Sequence, residues 1–326
     1  MEHWNNHPRL ILGIGELLWD IPEDGAGTAS SARSLGGAPA NFAVMAGRLG
    51  NRAAILSRIG RDDAGREAIE QLERVPVDAG FLQVDPAHET GRVTVRFEDG
   101  QPRYTIHQPA AWDFLELSDE WISLAERADA ICFGSLAQRN AVSRQTIQTL
   151  ISEARQDCLR VFDLNLRAPF YSGETIQESL DLATVLRAND AEFAELLDLL
   201  GLAGAEAGVG EQLRAGAQEV LAAFPSLTMI ALTRGRDGSL LVTREGWNEH
   251  PGFATQVVDT VGAGDAFTAA LTHYLLRGAG LAKLNEAGNR WAAWVASQAG
   301  GMPQLHDAVR DEITAAIERE KSRRRR

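Results

Sequence analysis

The stretch Asp259-Thr260-Val261-Gly262-Ala263-Gly264-Asp265 runs without a break into Ala266-Phe267-Thr268-Ala269-Ala270-Leu271. Small residues here lead straight into a helical pattern. The backbone N–H groups of Gly262, Ala263 and Gly264 would therefore point outward at a helix N-terminus, where partial positive charge suits an anion. Asp265 sets a carboxylate beside that anion hole. A phosphate on the amides, with Asp265 taking the proton of an attacking hydroxyl, would make a phosphotransfer centre. The same residues fit an ordinary glycine turn with Asp265 as helix cap, and the rest of the chain decides between the two.

Upstream of the loop, apolar strand-like runs alternate with helix-like ones. Residues 9–15 form a short apolar run ending in glycine. Residues 37–49 have helical spacing, 52–59 read as a strand, and 62–74 as a helix capped by Asp62 or Asp63. Residues 130–134, 160–164, 184–188 and 227–233 are further strand candidates, separated by helical patterns at 143–156, 191–200 and 211–224. Helices at 264–277, 285–298 and 307–320 close the chain. Repeated strand–helix alternation predicts an α/β protein with a mostly parallel central sheet covered on both faces. One stretch breaks the rhythm. Arg92-Val93-Thr94-Val95-Arg96-Phe97 alternates with period two, residues 98–101 supply a turn, and 103–107 alternate again. With Trp19 and Ile21 as a neighbouring strand, this predicts a small β-flap, apolar on one side, that covers a pocket or a dimer contact.

The totals narrow the function. A chain of 326 residues can bury a large core as one domain, and its net charge of −13 argues against nucleic acid or an anionic membrane as partner. The arginine run 323–326 is the exception and reads as a solvated tail over 321–326. Cys132 and Cys158 form no CxxC pair, which suits reduced thiols in the cytoplasm. Residues 1–8 are polar and no apolar stretch is long enough to span a bilayer. Lys283 and Lys321 are the only lysines, and neither follows a glycine, so the Gly-Lys-Ser/Thr P-loop is excluded.

Six motifs in order now carry a resemblance: Gly15-Glu16-Leu17-Leu18-Trp19-Asp20, Gly36-Gly37-Ala38-Pro39-Ala40-Asn41-Phe42-Ala43, Asp163-Leu164-Asn165-Leu166-Arg167, Asn189-Asp190-Ala191-Glu192, Thr233-Arg234-Gly235-Arg236-Asp237-Gly238, and the loop at 259–265. Together they resemble the ribokinase-like, or PfkB, family of carbohydrate kinases over residues 9–305. The resemblance implies a three-layer αβα ribokinase-like fold in one domain, with a β-lid near 16–35 and 91–112. It implies ATP with Mg²⁺ and transfer of the γ-phosphate to a sugar hydroxymethyl group.

The resemblance also assigns residues. Asp265 is the base, and the amides of Gly262, Ala263 and Gly264 hold the transferring group. Asp259 either fixes the loop or offers its carbonyl to a monovalent cation such as K⁺. Asn189 and Glu192, three apart at a strand-to-helix junction, belong to the Mg²⁺ and phosphate network, Glu192 through water. The same pair fits a capping box. Thr233, Gly235 and Gly238 let nucleotide approach the backbone, and Asn289 corresponds to a helix position that contacts adenine. Asp20, Gly36, Gly37 and Asn41 would hold the sugar, while Arg167 either meets the phosphate or forms a surface ion pair. Arg103, His107 and Trp112 lie in or near the flap, placed to face the pocket, although lone residues of this kind more often serve packing or the surface.

Rival readings fare worse. Leu18 occupies the third glycine position of a dinucleotide fingerprint that begins at Gly13. A metal hydrolase would need clustered histidines, and the seven present form no HExxH. A non-catalytic sugar or nucleotide sensor on the same fold has no evident use for Asp265. Among kinases, the first two motifs look most like those of bacterial fructokinases, with fructose preferred to fructose 6-phosphate as acceptor. Ribose, 2-keto-3-deoxygluconate and nucleoside kinases remain open, as does a homodimer through the lid.

Overall fold

A computed structural model describes residues 8–22, 33–98, 101–202 and 210–323. Part of the predicted lid (23–32), part of the predicted flap turn (99–100) and the end of the arginine run (324–326) lie outside the described residues.

The strands are β1 (Leu10–Ile14), β2 (Leu18–Pro22), β3 (Ser34–Gly36), β4 (Arg52–Leu56), β5 (Arg58–Gly60), β6 (Gln83–Asp85), β7 (Gly91–Glu98), β8 (Gln101–Ile106), β9 (Ala130–Gly134), β10 (Leu159–Asp163), β11 (Val185–Asn189), β12 (Met229–Thr233), β13 (Ser239–Thr243) and β14 (Trp247–His250). The helices are α1 (Ala38–Arg48), α2 (Asp63–Leu72), α3 (Asp119–Ala125), α4 (Ala141–Glu153), α5 (Gly173–Leu182), α6 (Asp190–Leu200), α7 (Glu211–Ala223), α8 (Ala263–Leu275), α9 (Leu281–Ala296) and α10 (Asp307–Arg323).

Eight strands form the main sheet in the order β14-β13-β12-β11-β10-β9-β1-β4. All neighbours are parallel except the β12–β13 and β13–β14 pairs. Alternate residues of β1, β4 and β9–β13 feed two separate cores. Leu12, Ile131, Phe133, Phe162, Leu186 and Ile230 pack under the α4–α7 side. Ile11, Cys132, Val161, Val185 and Ala231 pack with Phe267, Leu271, Trp291 and Val295 of α8 and α9. A sheet covered on both faces must be apolar on both, and this one is.

A second, four-stranded sheet has the order β3-β2-β7-β8. β2 runs parallel to β7, and β7 pairs antiparallel with β8. The alternation in 92–97 is thus a real pleat. Val93, partnered by Ile106, faces inward, while Arg92 and Arg96 are exposed.

Three expectations need correction. The single strand expected at 52–59 is two, β4 and β5, with Ser57 between them. Trp112 does not face a pocket but is core; a Cβ on Gly91 would lie 2.3 Å from its Nε1, and the Arg139 guanidinium stacks over its ring at 4.0 Å. Residues 321–323, expected in a solvated tail, belong instead to α10, which continues to Arg323. The cap on α2 is Asp62, whose Oδ1 accepts from Gly65 N–H at 2.7 Å.

Candidate active site

The carboxyl ends of β1, β10 and β11 open into one cleft of about 490 Å³ between the main sheet and the lid. Leu18, Val93, Tyr104 and Ile106 of the lid form its apolar wall. Glu16, Asp20, Asn41, Asn165, Arg167, Arg187, Asn189, Glu192 and Asp265 supply its polar groups.

The loop at 259–265 leads into a helix whose N-terminus carries no side-chain cap. Gly262 sits at this N-cap of α8 with φ 77°. The first helical bond runs from Ala266 N–H to Gly262 O at 2.9 Å, so the N–H groups just before it are the unspent ones. One expected donor is diverted, since Ala263 N–H reaches Thr260 O at 3.3 Å. The glycines also have packing reasons. A Cβ on Gly262 would fall 2.6 Å from Gly301 Cα, and one on Gly264 only 2.3 Å from Arg187 Nη2. Asp259 fixes the loop, for its carboxylate accepts from Val261 N–H and Gly300 N–H, both at 3.0 Å.

Asp265 projects from the first turn of α8 into the cleft, and Asn41 Nδ2 donates to its Oδ2 at 2.7 Å. It keeps an opening to the cleft, yet the dense protein around it dominates its titration. Burial pushes its pKa up to about 7, the nearby Asp163 adds to the rise, and the Asn41 bond, Arg187 and Arg167 oppose it. A carboxyl shifted in this way exchanges its proton near neutral pH, the range a general base requires. Asp20 is raised to about 6 by burial and then by Asp259. Gly36 and Gly37 press the chain onto this wall. A Cβ on Gly36 would stand 3.0 Å from Asp20 Oδ2, and one on Gly37, at φ 111°, 2.3 Å from Glu16 O.

Under the anion loop lies a buried ion pair absent from the sequence reading. Arg187 Nη1 meets Asp163 Oδ1 at 3.0 Å, and its Nη2 donates to Thr233 Oγ1 at 2.9 Å. Asp163 Oδ2 also accepts from Thr268 Oγ1 at 3.1 Å. Burial opposes the charge on Arg187, but Asp163 and its neighbours outweigh it and the net shift is upward. Its signal in the sequence was an arginine inside the apolar run Val185-Leu186-Arg187-Ala188.

Asn189 and Glu192 turn out to form a full capping box. Glu192 N–H donates to Asn189 Oδ1 at 2.8 Å, and Asn189 N–H donates to Glu192 Oε2 at 2.9 Å. Both still line the cleft, so the structural and the ligand readings of this pair are compatible. Burial raises the Glu192 pKa, against the pull of Arg187. Arg167 lines the cleft and donates from Nη1 to Leu166 O at 3.0 Å, in place of a surface ion pair. Asn165, at φ 40°, also turns into the cleft, its carbonyl and that of Leu164 held by Ser135 Oγ.

The nucleotide candidates divide. Gly235, at φ 56°, faces open space where a Cβ would touch nothing within 4 Å. Gly238 serves packing, because a Cβ there would fall 1.9 Å from His250 O. Thr233 is occupied by Arg187. Asn289 does not line the cleft. It is buried, and its Nδ2 donates to Ser239 Oγ at 2.6 Å and to Asn285 O at 2.8 Å, which ties α9 to β13. Its helical address was right, but it faces the sheet. Glu16, Tyr104, Thr260 and Val261 join the cleft without having been singled out as ligands.

Comparison with known proteins agrees with this fold. The profile of the pfkB family carbohydrate kinases matches residues 20–308. A Pyrococcus horikoshii protein described as a putative sugar kinase is 31% identical over 296 residues, covering 87% of this chain and 89% of that one. Its crystal structure superposes with a TM-score of 0.78 over 94% of this chain and 97% of that one. Fructokinase-1 of Zea mays is 28% identical over 281 residues, covering 82% and 83%. A Vibrio cholerae fructokinase solved with fructose, ADP and calcium is 26% identical, with a TM-score of 0.77 over 94% and 98% of the two chains. With its mostly parallel sheet, its lid and the cleft between them, this chain has the ribokinase-like fold and belongs to the pfkB family of carbohydrate kinases.

Proposed function

We propose that the protein transfers the γ-phosphate of ATP to the hydroxymethyl group of a neutral sugar, with fructose as the preferred acceptor. The observation that carries this reading is Asp265, half-open to the cleft and held by Asn41 beside the uncapped start of α8. A hydroxyl seated against Asp265 finds a proton acceptor tuned near neutrality, and the phosphoryl group it attacks finds unspent amides. Asn41 fixes the carboxylate. Arg187 and Arg167 bring positive charge to the same end of the cleft, where negative charge grows during transfer. Gly235 leaves backbone open to the nucleotide. The lid's apolar wall excludes water as the sugar is covered. The main sheet and its lid work as one kinase domain.

Magnesium fits this donor set. Among the described residues no group of three or more His, Cys, Asp or Glu side chains could cage an ion. Glu192 offers one cleft carboxylate, which suits an ion that keeps its waters and is otherwise held by phosphates. Bound there, Mg²⁺ would neutralise phosphate charge.

The choice of a neutral acceptor rests on the carboxyls of Glu16 and Asp20 in the cleft, which disfavour a second phosphate there although Arg167 offsets part of their charge. A coupled assay for ADP tests the proposal with Mg-ATP and fructose, fructose 6-phosphate, ribose, 2-keto-3-deoxygluconate and a nucleoside. The expected result is ADP release that depends on fructose and is roughly tenfold or more weaker, by kcat/KM, with fructose 6-phosphate. No sugar-dependent ADP from any acceptor would overturn the kinase reading.

A further inference from the structure

Glu16 follows β1, and its side chain is buried although it borders the cleft, with only 2% of the residue exposed. One oxygen has a structural task. Oε1 accepts from Ala38 N–H at 3.3 Å, at the start of α1, where Gly37 offers no side-chain cap. The other oxygen has none, for Oε2 is buried and without a hydrogen-bond partner. A buried acceptor left unmatched is costly, and such an exception asks for a ligand.

Its surroundings say which kind. Asn41 is buried too, and with Nδ2 spent on Asp265 its Oδ1 is likewise unpartnered. Asp20 and Asp265 add carboxylates to the same cleft. This end of the cleft is therefore rich in acceptors and suited to a ligand that brings several O–H donors, which is the chemistry of a polyol. Burial also pushes the Glu16 pKa up to about 7, opposed by the backbone N–H groups of Glu16 and Ala38 and helped by Asp265, so water solvates this carboxyl poorly.

We infer that Glu16 is a specificity-determining residue whose Oε2 accepts a hydrogen bond from a non-reacting hydroxyl of the acceptor sugar. The inference rests on the sugar-kinase reading and extends it, because it assigns selection among polyols to a residue outside the phosphotransfer centre. Capping of α1 and recognition of the hydroxyl share one carboxylate, so sugar binding is coupled to the helix that also presents Asn41.

The variant Glu16→Gln separates the two tasks. Its amide oxygen still accepts from Ala38 N–H, while its NH₂ replaces the free acceptor with a donor. Binding of fructose and of its single-deoxy analogues would be measured by calorimetry, and steady-state kinetics by ADP release. The expected result is a rise of roughly tenfold or more in Kd and KM for fructose, with KM for ATP within about twofold of wild type. One deoxy analogue should bind wild type and variant alike, because it lacks the hydroxyl that Glu16 receives. Glu16→Ala, which also loses the cap, should show the same sugar defect together with a lower Tm. If Glu16→Gln kept Kd within about twofold for fructose and every analogue, Glu16 would be a cap alone and the inference would fall. Wild-type protein that bound fructose in this Glu16-dependent way but released no ADP would sink the kinase reading and leave the inference standing.

Discussion

Asp265→Asn should lose on the order of a hundredfold or more in turnover while still binding ATP and sugar. The amide keeps the shape of the carboxylate but cannot take a proton. In the wild type, turnover should decline as pH falls below about 7, since the acid form of Asp265 is inert as a base. The same group makes an opposite prediction for stability. A carboxylate whose folded pKa lies above its unfolded value weakens the fold as pH climbs from about 4 to about 7. The uncharged amide of the variant carries no such burden. The variant should therefore be more stable than wild type by about 1 kcal/mol at pH 8, discounted for the opening of Asp265 to solvent, and level with it near pH 4. Kinetics and thermal melts at the two pH values check both halves. Near-normal turnover at pH 8 would remove Asp265 as the base.

Arg187→Leu should be the most damaging change to the fold of the site. It leaves Asp163 buried with only Thr268 as a side-chain partner and takes away the group against which Gly264 packs. Breaking a buried pair from one side typically costs about 3–5 kcal/mol, chiefly through the stranded charge. Urea melts should show that loss, and turnover should fall by about a hundredfold as positive charge leaves the anion site. Changing Asp163 to Leu in the same chain should restore part of the stability without restoring turnover. Stability equal to wild type in the single variant would mean that the pair is not holding the loop.

How far the sequence could be read depended on whether the signal was local. The N-terminus of α8 was legible because Gly262, Ala263, Gly264 and Asp265 are consecutive and the helix follows at once. The lid was legible because the pleat writes itself as alternation in 92–97. Arg187 was not, since its meaning comes from Asp163 and Thr233, 24 and 46 residues away in the chain. Asn289 shows the converse, for it lies on a helix as expected. Which way it faces depends on Ser239, and helical period alone cannot say that a polar residue will turn toward a strand. Gly238 carried the same ambiguity, because close approach by its own chain at His250 and by a nucleotide demand the same residue type. Glu16 stood within a quoted motif, yet only its burial and its unmatched oxygen distinguish it from a cap.

Phosphoryl transfer to a primary hydroxyl is the claim on which the rest depends, and phosphorus NMR of the reaction products reads it directly. With Mg-ATP and fructose, the account predicts a new phosphomonoester resonance split by the two hydrogens of an adjacent CH₂ group, appearing in step with ADP. Inorganic phosphate as the sole product besides ADP, or a phosphomonoester coupled to a single hydrogen, would contradict it.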